Sequence, residues 1–178
     1  MGARAAGPPP ILQPVGAEAF GLIAALYAAA FDEPWSEPSV RELMASPGVW
    51  GLVACRPAAG TDASDDKPTP VGFVLARVIA REAEVLAIGV APAARRAGVA
   101  RRLMAGVLAI AAPHADAIFL EVGADNPAAQ QLYLALGFKE VGRRPDYYRR
   151  ADGRRVDAAI MRRDFSTDLS RSGIEGHT

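Results

Sequence analysis

The chain has 178 residues, 51% of them hydrophobic and 22% charged, with 20 basic residues against 20 acidic ones. That supplies a core for one domain and argues against a polybasic nucleic-acid or membrane-surface binder. Cys55 is the only cysteine, which excludes an internal disulfide or a cysteine-built zinc site and suits a reducing, cytoplasmic compartment.

Met1 to Pro10 is rich in small residues and proline and is expected to be a disordered leader with no secretory pattern. Ile11 to Val15 reads as an edge strand. The spacing of Phe20, Ile23, Leu26 and Tyr27 predicts a helix over Glu18 to Phe31, too short to span a bilayer. Ser36 is a suitable N-cap for a second helix through Met44. Strands follow at Val49 to Arg56 and Val71 to Ile79. The Pro-, Gly-, Ala-, Asp- and Ser-rich segment 57–70 between them reads as a mobile loop inside one domain that spans 11–164.

Glu82 to Val90 is the next strand, and it runs into Ala91-Pro92-Ala93-Ala94-Arg95-Arg96-Ala97-Gly98-Val99-Ala100. This small-residue and arginine turn opens directly into a helix striped by Val99, Leu103, Val107 and Ile110. Unpaired N–H groups at a helix N-terminus, backed by the helix dipole, suit a phosphate or pyrophosphate. Gly98 and Ala100 keep the approach to those amides open, and Arg95 and Arg96 add charge to the rim. The ordinary alternative is a plain strand-to-helix loop. Up to Pro92 there are six basic and ten acidic residues, and beyond it fourteen and ten, so the turn lies in the basic half of the chain.

Asp116 to Gly123 reads as the following strand. Its alternation places Ile118, Leu120 and Val122 on one face and Phe119, Glu121 and Gly123 on the other, so Glu121 leaves the apolar face beside open space at Gly123. Asn126 is an N-cap ahead of Pro127, and Gly137 closes the helix between them. On that helix Ala129, Leu132, Tyr133 and Leu136 follow core spacing, which alone would explain the tyrosine. Strands near Phe138 to Arg143 and Val156 to Arg163 complete the domain, and a polar tail occupies 165–178. Trp35, Tyr147 and Tyr148 fall in turn-rich segments, where they either line an acceptor groove or pack as a lid. Arginine pairs at 143/144, 149/150, 154/155 and 162/163 read as a solvated strand edge.

The order of these motifs resembles the GNAT superfamily of acetyl-coenzyme A-dependent N-acetyltransferases. Arg95-x-x-Gly98-x-Ala100 fits its pyrophosphate signature, and Asn126-Pro127-x-Ala129-x-x-Leu132-Tyr133-x-x-x-Gly137-Phe138 fits its next helix and strand. Pro34-Trp35-Ser36, Leu120-Glu121-Val122, Pro145-x-Tyr147-Tyr148, Asp157-Ala158 and Met161 narrow the likeness to the ribosomal-protein alanine N-acetyltransferase (RimI-type) family, over about residues 11 to 164. Two positions depart from the family pattern. Ala100 stands where glycine is common, and Gly123 stands where a longer, often basic, side chain is familiar.

The resemblance implies an α/β (α+β) GNAT fold with a mixed, mostly antiparallel sheet of six to seven strands and about four helices. It further implies acetyl-coenzyme A as co-substrate without a metal, held by Arg95, Arg96, Ala97, Gly98, Val99, Ala100 and Asn126. Backbone groups at Ile88, Gly89 and Val90 would hold the pantetheine arm. Glu121 becomes the general base, Tyr133 the acid that protonates the thiolate, and Trp35, Tyr147 and Tyr148 the acceptor wall. The expected acceptor is a protein or peptide N-terminus, such as that of a ribosomal protein. An α-amine titrates near 7.7–8.0 and lysine near 10.4, so at neutral pH lysine needs about 3.5 kcal/mol more to lose its proton. Small amines, amino acids or drugs as acceptors, and a non-catalytic coenzyme A sensor, are the competing readings.

Overall fold

Period-two patterning and β-branched residues build seven strands, and helical apolar stripes cover the sheet they form. The computed structural model describes residues 8–31, 34–57 and 67–165. The strands are β1 (Ile11–Val15), β2 (Val49–Arg56), β3 (Thr69–Ile79), β4 (Glu82–Val90), β5 (Ala117–Gly123), β6 (Lys139–Arg149) and β7 (Arg155–Asp164). The helices are α1 (Phe20–Ala30), α2 (Glu37–Ala45), α3 (Val99–Ala111) and α4 (Pro127–Ala135). Among the described residues no helix is long and apolar enough to cross a membrane.

The strands form one sheet in the order β1-β2-β3-β4-β5-β7-β6. The β4–β5 pair is parallel and the other five pairings are antiparallel. A parallel pair needs a crossover, which α3 supplies between β4 and β5. Pro14 is tolerated because β1 lies at the sheet edge, where one side of the strand owes no ladder hydrogen bonds.

Alternation divides the core in two. Leu52, Val74, Val85, Ile118, Leu120 and Val122 point to one face, under Leu103, Met104 and Val107 of α3 and Tyr133 of α4. Val53, Phe73 and Leu75 point to the other, under Ile23, Leu26 and Tyr27 of α1 and Val40 and Met44 of α2.

Several boundaries differ from the sequence reading. The first helix starts with a 3-10 turn at Ala17–Ala19 and becomes α-helical only from Phe20. Ser36 caps α2 as expected, its hydroxyl accepting from the Ser39 N–H at 3.3 Å. Strand β3 begins at Thr69, so the end of the expected 57–70 loop is strand, while residues 58–66 lie outside the described ones. Residues 1–7 of the leader and 166–178 of the tail lie outside them too. Pro10 is tied down, its carbonyl accepting from Arg102 Nε at 2.6 Å. Phe165 donates its N–H to the Asp116 carbonyl at 2.8 Å and packs on the core.

Phe73 joins the second core cluster to what lies above it. It is fully buried, its ring is 5.5 Å from that of Tyr27, and a Cβ on Gly89 would come within 2.6 Å of it. Phe73→Ala is expected to cost about 3–5 kcal/mol by cavity formation. Chemical denaturation checks this; a loss under about 1 kcal/mol, the scale of an ordinary surface change, would mean the cluster collapses around the gap.

Candidate active site

The site begins where two strands part. β4 pairs with β5 from Glu82↔Ala117 to Val85↔Leu120. On its other side β4 follows β3 up to Gly72↔Val90, with an extra residue, Leu86, between Val85 and Ala87. This bulge turns β4 away from β5, so the segment from Leu86 to Val90 has no β5 partner. The far side of β5 stays paired with β7 as far as Gly123↔Ala158. A wedge therefore opens between Leu86–Val90 and Glu121–Gly123, with unmatched backbone groups of β4 along one wall. Ile88 and Val90 lean toward the α3 face, and Gly89 toward α1, where a Cβ would come 3.0 Å from Ala30 and 3.1 Å from Phe31.

The arginine turn crosses the top of the wedge on the α3 side. Gly98 caps α3 in the left-handed conformation, φ 76°, and has no side chain to occupy the first N–H groups. The first intrahelical bond from the cap is Arg102 N–H to the Gly98 carbonyl, so the amides of Val99, Ala100 and Arg101 have no intrahelical partner. These residues fit a pyrophosphate. The reason for glycine at 98 differs from the sequence reading: a Cβ there would meet nothing within 4 Å, so backbone conformation and not clearance requires it. Arg95 also differs. Its Nη2 donates to the Ala30 carbonyl at 2.9 Å and its Nε to the Val90 carbonyl at 3.2 Å, so it fastens α1 and β4 to the turn. Arg96, at φ 62°, and Ala97 lie exposed on the turn.

Tyr133 and Glu121 approach from opposite faces. Tyr133 is 5% exposed, its ring 5.9 Å from that of Phe138 in the α3-side core. Burial, and then the neighbouring Tyr148 phenol, push it up to about 12. Asn126 caps the same helix, its Oδ1 accepting from the Ala129 N–H at 3.1 Å, and Gly137 at φ 85° ends it. Both caps are as the sequence implied. Glu121 alternates with the buried Leu120 and Val122 and so emerges on the α1 side, as the strand pattern required.

There Glu121 meets Arg144, whose Nε lies 2.7 Å from Oε1. The same carboxylate is the main cause holding the Tyr147 phenol above its usual value. Tyr147 and Tyr148 are not in a turn. They belong to β6, where the register jumps from Arg144↔Ala158 to Tyr148↔Val156. The extra residues bulge outward, with Asp146 at φ 53° and its N–H held by Asp157 Oδ1 at 3.0 Å. The two rings meet edge to face at 5.1 Å. Across the wedge, Trp35 stacks on Tyr27 at 4.9 Å, and Phe31 on the same ring at 4.4 Å. Tyr148 raises both Tyr27 and Tyr133 electrostatically and is itself raised by burial and then by Glu121, so it lies within reach of all three. From Glu121 a groove of about 460 Å³ continues down the sheet past Phe119 to the Arg77–Glu84 pair.

Sequence reasoning overlooked Tyr27, Phe31, Arg144 and Glu84. Tyr27 was legible only as a core stripe, and Arg144 only as one of several arginine doublets. The other correction is Gly123. Its expected open space is filled, since a Cβ there would lie 2.6 Å from both Arg150 Nη2 and Asp125 Oδ1.

A seven-stranded mixed sheet with one splayed parallel pair and four flanking helices is a GNAT-type architecture. Residues 21–138 match the acetyltransferase (GNAT) family profile, and the chain belongs to that family. It is 36% identical over 137 residues to N-alpha-acetyltransferase RimI of Mycobacterium tuberculosis, spanning 75% of this chain and 77% of the relative. It is 39% identical over 90 residues to the [ribosomal protein bS18]-alanine N-acetyltransferase of Escherichia coli, covering 50% of this chain and 60% of that one. The crystal structure of the Escherichia coli ribosomal-protein-S18-alanine N-acetyltransferase superposes with a TM-score of 0.77 at 25% identity, covering 91% of this chain and 97% of that one. Arabidopsis thaliana NAA60, solved with acetyl-CoA, shares the fold at a TM-score of 0.72 and 18% identity, over 87% of this chain and 98% of that one.

Tyr27 and Tyr133 both stand near 12, against about 10 in an unfolded chain. A folded-state value above the unfolded one means the unfolded chain loses its protons first, so stability is intact below about pH 10 and falls as pH rises toward 12. Tyr133→Phe is expected to flatten part of that alkaline loss. Urea midpoints measured against pH check it, and an identical slope in wild type and variant would show that the Tyr133 phenol does not ionise differently in the two states.

Proposed function

We propose that the protein transfers the acetyl group of acetyl-coenzyme A to the N-terminal α-amine of a protein, a ribosomal protein beginning with alanine, in the cytoplasm. The observation that carries this reading is the wedge where β4 and β5 part, beside which Tyr148 couples both to Glu121 on one face of the sheet and to Tyr133 on the other. It is supported by the relatives whose names specify N-α-acetylation and a ribosomal-protein alanine.

In this mechanism the amides of Val99, Ala100 and Arg101 bind the pyrophosphate, and the unmatched backbone of Leu86–Val90 holds the pantetheine arm and the thioester oxygen. The acceptor ammonium replaces the Arg144 guanidinium on Glu121, which takes its proton. The neutral amine attacks the thioester carbon, the carbon–sulfur bond breaks, Tyr133 gives its proton to the departing thiolate, and the second proton that the nitrogen sheds on becoming an amide restores the Tyr133 phenol. Trp35 and Tyr27 on one side and Tyr147 and Tyr148 on the other hold the peptide end.

Acetyl-coenzyme A is expected to raise the melting temperature, and Gly98→Glu to abolish the rise through charge and backbone strain. A wild-type protein with no shift would overturn the coenzyme site. Glu121→Gln and Tyr133→Phe should each lower kcat by about 10²-fold or more with the thermal shift intact, because proton transfer contributes on that scale. Wild-type turnover in either would remove that residue from the mechanism.

The acceptor class has its own measurement. With a library of peptides bearing free N-termini, mass spectrometry is expected to find one acetyl group per peptide, on the first residue, with alanine favoured and internal lysines untouched. Acetylation confined to lysine, or activity on free polyamines alone, would replace the N-terminal reading with the small-amine one.

A further inference from the structure

Gly123 is the last residue of β5, two positions beyond Glu121 on the same face, and the room beside it is taken by side chains from elsewhere. Arg150, just past the end of β6, reaches back across the sheet. Its Nε donates to Asp125 Oδ2 at 2.8 Å and its Nη2 to Asp125 Oδ1 at 2.5 Å, a two-pronged pairing of planar groups. Both partners are about one-third exposed, at 36% and 33%. The pair lies where a residue-123 side chain would begin.

The guanidinium lies 5.2 Å from the centre of the Tyr148 ring. Asp125 is anchored in turn by the β5–α4 junction, where the Asn126 N–H donates to the Gly123 carbonyl at 2.9 Å and Gln130 Nε2 donates to the same oxygen at 3.1 Å. Arg150 is anchored by the hairpin that follows it, donating its N–H to the Arg154 carbonyl at 2.9 Å. A fixed turn on one side and a fixed hairpin on the other thus meet through one fork. Tyr148, two residues before Arg150, has its ring against that fork.

We propose that the Asp125–Arg150 fork, lodged in the space that Gly123 leaves, positions Tyr148 for the acceptor and so sets acceptor affinity. The inference rests on the acceptor role proposed for Tyr148. The fork reaches no reacting atom, so these are positioning residues. Gly123 is part of the device for a steric reason: its backbone is ordinary strand, which alanine adopts freely, but a methyl group there requires both ends of the fork to move off their present place beside Tyr148.

The test is a set of steady-state measurements on the full chain with an alanine-first peptide. Arg150→Ala, Asp125→Ala and Gly123→Ala are each expected to raise the acceptor KM about fivefold or more, the scale of coupling between contacting residues, with kcat and the coenzyme thermal shift near wild type. Arg150→Lys should behave like Arg150→Ala, since an ammonium keeps the charge and loses the fork. Gly123→Ala placed in the Arg150→Ala background should add nothing further. Melting temperatures separate this from a structural role, which would lower Tm without dividing acceptor KM from coenzyme binding. A raised KM in Tyr148→Ala together with wild-type KM in the fork variants would overturn the proposal and leave the acceptor reading intact. An unchanged KM in Tyr148→Ala would overturn both, and additive effects of Gly123→Ala and Arg150→Ala would overturn the shared device.

Discussion

Everything proposed for this protein depends on two neighbouring strands ceasing to pair. β4 and β5 share four residue pairs and then part at the bulge on Leu86. A buried backbone group without a partner is costly, so an open wedge in a sheet persists only if its other edges are held and something polar reaches the gap. Here β3 continues to hold β4 to Val90, and β7 holds β5 to Gly123. Arg95 secures the upper end by reaching the carbonyls of Val90 and Ala30. The wedge is thus braced on three sides and offers its fourth to ligand.

In the proposed mechanism that arrangement assigns the two substrates to the two faces of one sheet. Strand alternation sends Leu120 and Val122 under α3 and α4 and sends Glu121 to the side of α1 and α2. An anionic cofactor tail suits the first side, where α3 begins with free amides, and a cationic amine suits the second, where a carboxylate waits. The aromatic wall belongs to the second side as well, with Tyr27 supported from below by Phe73 and from above by Trp35 and Phe31. The aromatic stack thus runs from the buried α1–α2 core cluster out to the exposed Trp35.

Much of this was legible in the sequence because the signals were local. β2 and β4 begin and end where their patterning said, Ser36 and Asn126 cap the helices that follow them, and strand parity alone put Glu121 on the opposite face from Leu120. What was not legible depended on register. The Leu86 bulge carries no glycine or proline to mark it, and Pro145-Asp146, which marks the bulge in β6, equally signals a turn, so Tyr147 and Tyr148 read as turn residues although they lie in a strand. The resident of the Gly123 space was likewise hidden, because Arg150 arrives from 27 positions further along the chain.

Register also explains why an arginine-rich second half is not simply a basic surface. Arg143 pairs with Glu140, Arg154 with Asp152, and Arg162 with Asp164, each a near neighbour in sequence and largely exposed. Such pairs contribute little stability and neutralise one another's fields. Arg144 and Arg150 differ because their partners, Glu121 and Asp125, lie on β5 and the turn beyond it. One therefore sits on Glu121 and the other against the Tyr148 ring. Alternation along β6 and its bulge, rather than the number of arginines, decides which charges reach Glu121 and Asp125.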